Sequence, residues 1–255
     1  KLKFGSLIER AKKLGATKIA TGHFARVETD PETGRTLLRR GRDLRKDQSY
    51  FLFSLRQDQL AFSLFPLGEH TKTETRDVAR ECNLRTADKE ESMEICFVPD
   101  NDYRDFLTKA KLTQDHSGKI ITRDGKVLGS HRGIEYYTIG QRKGLGISAP
   151  RPLYVIELRP ETNEVVVGEQ ADLNETTFSI ERCNWIPFEV PPSEMAVTAR
   201  IRYNHPGTEA TVIPLENARA KIILHEPQRA ITPGQACVLY QDDLVIGGGW
   251  IERRP

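Results

Sequence analysis

From about Ser117 to its end the chain is written in short alternating apolar runs, and Pro and Gly break each run before it grows long. The runs are Leu153–Leu158, Glu164–Val167, Ala196–Tyr203, Ala210–Ile213, Lys221–Leu224, Ala236–Tyr240 and Leu244–Ile251. A period of two puts every second side chain on one face of a strand. Many such strands, each too short to stand alone, need sheets that curl to remove their edges. A helical bundle is excluded for this part, and one or two small β-barrels are expected. Ile120 to Leu128 reads as a hairpin with Asp124-Gly125 at its turn.

The front of the chain has another period. Leu7, Ile8, Ala11 and Leu14 form a helical stripe that Gly15 stops. Thr17 to Thr21 is a short strand ending at Gly22-His23, and ligands gather at the carboxyl ends of strands in α/β sheets. Pro31-Glu32-Thr33-Gly34 is a turn between strands at Phe24–Glu28 and Arg35–Arg40. Residues 56–64 and 72–83 read as helices, the second with Val78, Ala79 and Cys82 on one apolar face. The fold class is α/β plus β, with domains expected at 1–100, 101–172 and 173–255. The β-rich half is expected to fold more robustly alone than residues 1–97.

Charge narrows the function. The 255 residues carry 38 basic and 36 acidic side chains, a net of +2. The signs are unevenly spread: residues 1–60 have a net charge of +7 and 111–150 of +4, against −4 for 61–110 and −5 for 151–255. Basic blocks are candidate polyanion footprints, and a solvated surface explains them equally. No run of about 18 apolar residues is present to span a membrane. The four cysteines form no C-x-x-C pair, so neither a zinc site nor a disulfide scaffold is expected, and a reducing cytosol is the default compartment. The chain opens on Lys1 without a signal peptide and reads as a piece of something longer.

Several residues are candidates for chemistry. Cys96, between Ile95 and Phe97 and ahead of Pro99, is a nucleophile or sulfur carrier, or a small packed hydrophobe. Cys82, Cys183 and Cys237 read as structural. Gly22 lets a ligand approach the backbone, and His23 beside it can donate to a phosphate or a base. Lys46, Asp47 and Gln48, followed by Tyr50 and Phe51, combine cation, amide and aromatic groups, which hold phosphates and read base edges. Thr138 to Gly146 is a Gly-rich basic loop that is neither a Walker loop nor a dinucleotide fingerprint. Arg200, Arg202 and Asn204 are expected on one strand face. Gly247-Gly248-Gly249 is assigned to close strand packing.

Five segments together are more specific than any of them alone. Ala20-Thr21-Gly22-His23-Phe24-Ala25-Arg26, Lys46-Asp47-Gln48-Ser49-Tyr50-Phe51-Leu52, Ser92-Met93-Glu94-Ile95-Cys96-Phe97, Thr138 to Gly146 and Gly248-Gly249-Trp250-Ile251 stand in the order and spacing of one family. The chain resembles the tRNA-specific 2-thiouridylases over essentially its whole length. The resemblance implies the C-terminal part of an ATP-pyrophosphatase domain, a small central tRNA-binding domain and a C-terminal β-barrel. It implies a sulfurtransferase that replaces the C2 oxygen of the wobble uridine of tRNA with sulfur, using ATP with Mg²⁺.

By the same resemblance Cys96 carries the persulfide, and a second cysteine resolves it and leaves a disulfide. Gly22 contacts ATP. His23, Lys46, Asp47, Gln48, Arg202, Tyr203 and Gln235 contact tRNA. The implied partners are tRNA and a sulfur-relay protein or cysteine desulfurase, with the enzyme a cytoplasmic monomer. The family's Ser-Gly-Gly-x-Asp-Ser loop does not occur among the 255 residues, nor does the catalytic Cys-Asn pair that in the family stands a few residues before a Lys-Phe pair like Lys3-Phe4. The chain is therefore expected to be a fragment that does not thiolate tRNA alone. The alternative reading is an RNA-binding module without catalysis.

Overall fold

The computed structural model describes residues 2–88 and 116–253. A π-helical turn at Leu2–Ser6 leads into helix α1, Leu7–Lys13. Of the expected stripe only Ile8 is buried, while Leu7 and Leu14 are exposed. Strand β1, Ile19–Ala20, is followed by the hairpin of β2, Ala25–Thr29, and β3, Thr36–Arg40. Then come α2, Ser49–Leu52, α3, Gln57–Ala61, and β4, Ser63–Leu64. β4 corrects the helix expected to run through residue 64. It pairs in parallel with β1, and Thr21 N–H donates to the Leu64 carbonyl at 3.0 Å. Backbone groups taken up by this ladder are lost to the helix.

Helix α4, Lys72–Glu81, starts at a capping box, with Glu74 N–H donating to the Thr71 hydroxyl and Thr71 N–H donating to the Glu74 carboxylate. None of its residues is buried, and Val78 and Cys82 are exposed. The apolar face expected on this helix is therefore not a core face among the described residues. Local capping, rather than burial, accounts for where the helix begins.

The described chain divides into two units. One contains residues 116–175 and 227–232. Its sheet has the order β6-β5-β8-β7, built from β5, Gly118–Thr122, β6, Val127–His131, β7, Tyr154–Arg159, and β8, Glu164–Gly168. β5 and β8 are parallel and the other neighbours antiparallel. Ile120, Val155, Val165 and Val167 form its core, and Leu145 pins the Gly-rich loop to them.

The other unit holds the front segment and most of the C-terminal strands. These are β9, Asn174–Trp185, β10, Met195–Arg200, β11, Thr208–Leu215, β12, Arg219–Arg229, β13, Ala236–Gln241, and β14, Leu244–Ile251. The order β13-β10-β11-β12-β9-β14 closes through a β13–β14 pairing into a six-stranded barrel. β9 was absent from the expected runs because its side chains are mostly half-exposed and polar, so the alternation is blurred. The Gly-rich end of β14 lies between β13 and β9. A Cβ on Gly248 would fall 2.4 Å from the Cys237 carbonyl, so no larger residue fits that spacing.

The front segment and the barrel share one core. β3 continues the sheet from β14, pairing Arg39 with Leu244. Leu38, Tyr50, Leu52 and Leu60 pack in one cluster with Ile186, Val238, Tyr240 and Val245. Burying each such side chain is worth about 1.5–3 kcal/mol. Part of the barrel's apolar surface is therefore covered by residues 25–65, and theirs by the barrel.

Candidate functional site

Four stretches far apart in sequence meet around Asp47. Its side chain is almost fully buried, although a tRNA-facing position was expected. Oδ1 accepts from the N–H groups of Gly41 at 3.2 Å and Ser49 at 3.0 Å. Oδ2 accepts from the Ser49 hydroxyl at 3.0 Å and lies 3.5 Å from Arg200 Nη1 and 4.0 Å from Arg40 Nε. A carboxylate so enclosed has its lone pairs turned inward and two cations beside it. It holds its neighbours in place rather than offering itself to a large ligand.

Arg200 corrects a second expectation. β10 ends at Arg200, and residues 201–204 turn instead of continuing a strand. Arg200, Arg202 and Asn204 therefore do not line one strand face. The Arg200 guanidinium points inward, donating from Nε to the His205 carbonyl at 3.0 Å and from Nη2 to the Tyr203 carbonyl. A planar fork of donors can hold two turn carbonyls and one carboxylate at once. Ile201 is buried, which leaves Arg202 and Asn204 exposed and Tyr203 half-buried.

The remaining stretches join the same cluster. Gln48 clamps residue 24 from both sides, its N–H donating to the Phe24 carbonyl at 2.9 Å and its Oε1 accepting from Phe24 N–H at 3.0 Å. That fixes the chain next to Gly22 and His23. His23 Nδ1 is 2.8 Å from the Thr21 hydroxyl, and its ring lies edge-on to Phe65 at 5.8 Å between centroids. The Tyr50 hydroxyl donates to the Ala236 carbonyl at 2.8 Å, which ties down the chain beside exposed Gln235. Burial pushes the Tyr50 phenol up to about 12, so it stays a neutral donor. Ser49 also lies 3.3 Å from the Tyr240 hydroxyl, and the Arg40 guanidinium stacks 4.3 Å from the Tyr240 ring.

The sequence-derived residues thus divide. Gly22, His23, Lys46, Gln48, Arg202, Tyr203 and Gln235 lie on stretches that Asp47, Arg200 and Tyr50 bind together. Gly22 needs no special backbone angle, and a Cβ there would meet only Leu67 Cδ1 at 3.6 Å. Among the described residues no packing contact demands glycine at that strand end. Cys96 lies outside the described residues. Cys82, Cys183 and Cys237 are free thiols, so the expected disulfide has no counterpart among the described residues. Among the described residues no group of three or more His, Cys, Asp or Glu side chains could hold a metal ion. No helix there is long and apolar enough to cross a membrane.

Sequence reasoning missed Asp47, Arg200 and Tyr50 as a joint. Their signal was a charge beside apolar neighbours at two distant sites, and no local pattern pairs such sites. The Gly-rich loop lies in the other unit, with Gly140, Gly144 and Gly146 in the left-handed region. It lines a cleft of about 460 Å³ with Arg142, Gly144, Gly146 and Arg151 on its wall.

Three family models match the chain in order: a tRNA methyl transferase HUP domain at 1–100, a tRNA methyl transferase PRC-barrel domain at 104–169 and an aminomethyltransferase beta-barrel domain at 175–251. The chain is 50% identical over 252 residues to a tRNA-specific 2-thiouridylase of Moorella thermoacetica, covering 99% of this chain and 71% of that protein. It is 49% identical over 254 residues to the one of Nostoc punctiforme, covering 99% and 72%. For that of Clostridium beijerinckii the identity is 46% over 251 residues, covering 98% and 70%. On identity and coverage together, the chain belongs to the tRNA-specific 2-thiouridylase family.

Proposed function

We propose that these residues bind tRNA and serve the 2-thiolation of its wobble uridine. The observation that carries this reading is the buried Asp47–Arg200 contact at 3.5 Å. It draws Lys46 and Gln48 from the front segment and Arg202 and Tyr203 from the barrel to one joint. Cations, an amide and an aromatic ring are the groups that RNA recognition uses. In this reading Asp47 orders the surface, and the six others with polar or aromatic side chains (His23, Lys46, Gln48, Arg202, Tyr203 and Gln235) make the contacts.

Gly22 fits an adenine nucleotide, because its open side lets a ligand approach the backbone. ATP, when bound, supplies activation of the uridine C2 oxygen as a leaving group. The chain's own part is to hold the nucleotide against Gly22 and the base near His23. Cys96 is the proposed sulfur carrier, loaded by a sulfur-donor protein. The 255 residues contain no Ser-Gly-Gly-x-Asp-Ser loop and should not thiolate tRNA alone.

The test is tRNA binding to this chain across salt, between about 50 and 200 mM. Affinity should fall with a log–log slope of about −3 or steeper, as expected when several phosphates are contacted. A flat salt dependence, or equal affinity for duplex DNA, contradicts the proposal. For the chemistry, Cys96→Ser in a polypeptide that also carries the nucleotide loop should abolish 2-thiouridine and leave tRNA affinity intact. Unchanged 2-thiouridine would favour a binding module instead.

A further inference from the structure

Helix α2 leaves one large apolar side chain outside the core. Ser49, Tyr50 and Leu52 are buried, whereas Phe51 is 55% exposed. It is the single aromatic among the exposed large hydrophobic side chains of the described residues. Its ring lies 4.5 Å from that of Tyr203 at an interplanar angle of 35°. Tyr50 packs edge-on beneath it, 5.5 Å away at 89°.

This pair is held from below on both sides. The Tyr203 carbonyl accepts from Arg200, Arg200 lies against Asp47, and Asp47 accepts from the first residue of α2. Tyr50 is anchored through its hydroxyl to Ala236. Two aromatic rings therefore stand at the surface on a rigid base, beside exposed Arg202 and Asn204. A single exposed hydrophobic side chain is ordinary, but this ring is paired with a second one and both stand on a fixed base. A nucleobase suits it: its faces are apolar and planar, its edge is polar, and it stacks on aromatic rings when unpaired.

We propose that Phe51 and Tyr203 form a ledge on which an unpaired base of RNA stacks. The inference rests on the tRNA-binding reading and deepens it, because a ledge of this kind selects single-stranded over duplex segments. Stacking is not a phosphate contact, so it leaves the salt dependence untouched.

The test compares the wild-type chain with Phe51→Leu and Phe51→Trp, using a tRNA transcript and a fully duplex RNA as probes. Affinities are read across salt and thermal midpoints alongside. Phe51→Leu keeps an apolar side chain but loses the ring, so tRNA affinity should fall about tenfold at an unchanged salt slope. Phe51→Trp should restore it, and duplex binding should ignore both. Unchanged tRNA affinity in Phe51→Leu overturns the ledge, as it would if a protein were the occupant. A loss that Phe51→Trp does not restore, or that tracks a lowered thermal midpoint, also overturns it. A wild-type chain without salt-dependent tRNA binding removes the underlying reading as well.

Discussion

The Asp47 carboxylate and the Arg200 guanidinium lie 3.5 Å apart across 153 residues of sequence, both almost withdrawn from water. Arg40 completes the group at 4.0 Å. Breaking a buried pair leaves an uncompensated charge, at a cost of about 3–5 kcal/mol. Asp47→Ala should therefore lower the unfolding free energy by about 3 kcal/mol or more, read from the urea midpoint. It should weaken tRNA binding even in conditions where the variant stays folded, because the Arg202-Tyr203 turn loses its anchor. Asp47→Asn keeps one oxygen to accept from the Gly41 and Ser49 N–H groups but loses the charge and acceptor facing Arg200 and Arg40, so it should fall between the wild type and Asp47→Ala on both measures.

Two glycines make opposite predictions. A Cβ on Gly68 would fall 1.9 Å from the Ala25 carbonyl, a backbone atom that cannot swing aside. Gly68→Ala should displace the β2–β3 hairpin and lower the thermal midpoint sharply. Gly22→Ala meets only a 3.6 Å contact and should fold normally. Its effect should be confined to adenine-nucleotide affinity in a polypeptide that also carries the nucleotide loop.

Thiol reactivity should separate the cysteines. Burial pushes the Cys183 thiol up to about 12 and the fully buried Cys237 thiol higher still, so neither forms thiolate at neutral pH. Cys82 is exposed. Iodoacetamide on the native chain, followed by peptide mass mapping, should label Cys82 and spare Cys183 and Cys237 until denaturant is added. Early labelling of Cys237 would mean that the barrel opens locally.

Acid should loosen the join between hairpin and barrel. Asp243 sits between Arg39 and Arg26, each 2.5 Å away, and although burial opposes ionisation, the hydrogen bonds and charges of these arginines hold its pKa below the usual 3.8. A carboxylate depressed in the folded state adds stability above its unfolded value, and that part is lost as pH falls through the folded one. The melting midpoint should therefore be insensitive to Asp243 at low pH and sensitive at neutral pH. Asp243→Asn should shift the midpoint near pH 7 and leave it unchanged well below pH 3.8. The effect should be small, since the group is partly exposed.

Removing the front segment should harm the barrel. Residues 173–255 alone would bare Val238, Tyr240 and Val245, which Leu38, Tyr50 and Leu52 cover in the whole chain. The isolated segment should bind a hydrophobic dye or aggregate, and adding back residues 1–88 in one chain should suppress this.

Much of the β-rich half was legible from its alternation. The runs at 153–158, 210–213, 236–240 and 244–251 all lie within or overlap strands of the structure. β9 escaped because its polar, half-exposed residues carry little period-two signal, and Arg182 takes a left-handed angle within it. The run Ala196–Tyr203 was too long because Arg200 turns back to cap the Tyr203 and His205 carbonyls. Of the site, the residue types at 22–23, 46–48 and 202–203 were legible. Their roles were not all legible, since burial separates Asp47 from its two neighbours and no local pattern reports burial of a charge.

The sequence by itself determined the α/β start, the β-rich remainder and the family, because periodicity and motif order are properties of the chain as written. Only the tertiary structure decided that β3 joins β14, that Asp47 faces Arg200 and that Phe51 stands against Tyr203. These contacts span up to 205 residues between Arg39 and Leu244. Each brings segments distant in the chain together to bury apolar faces no single segment can cover.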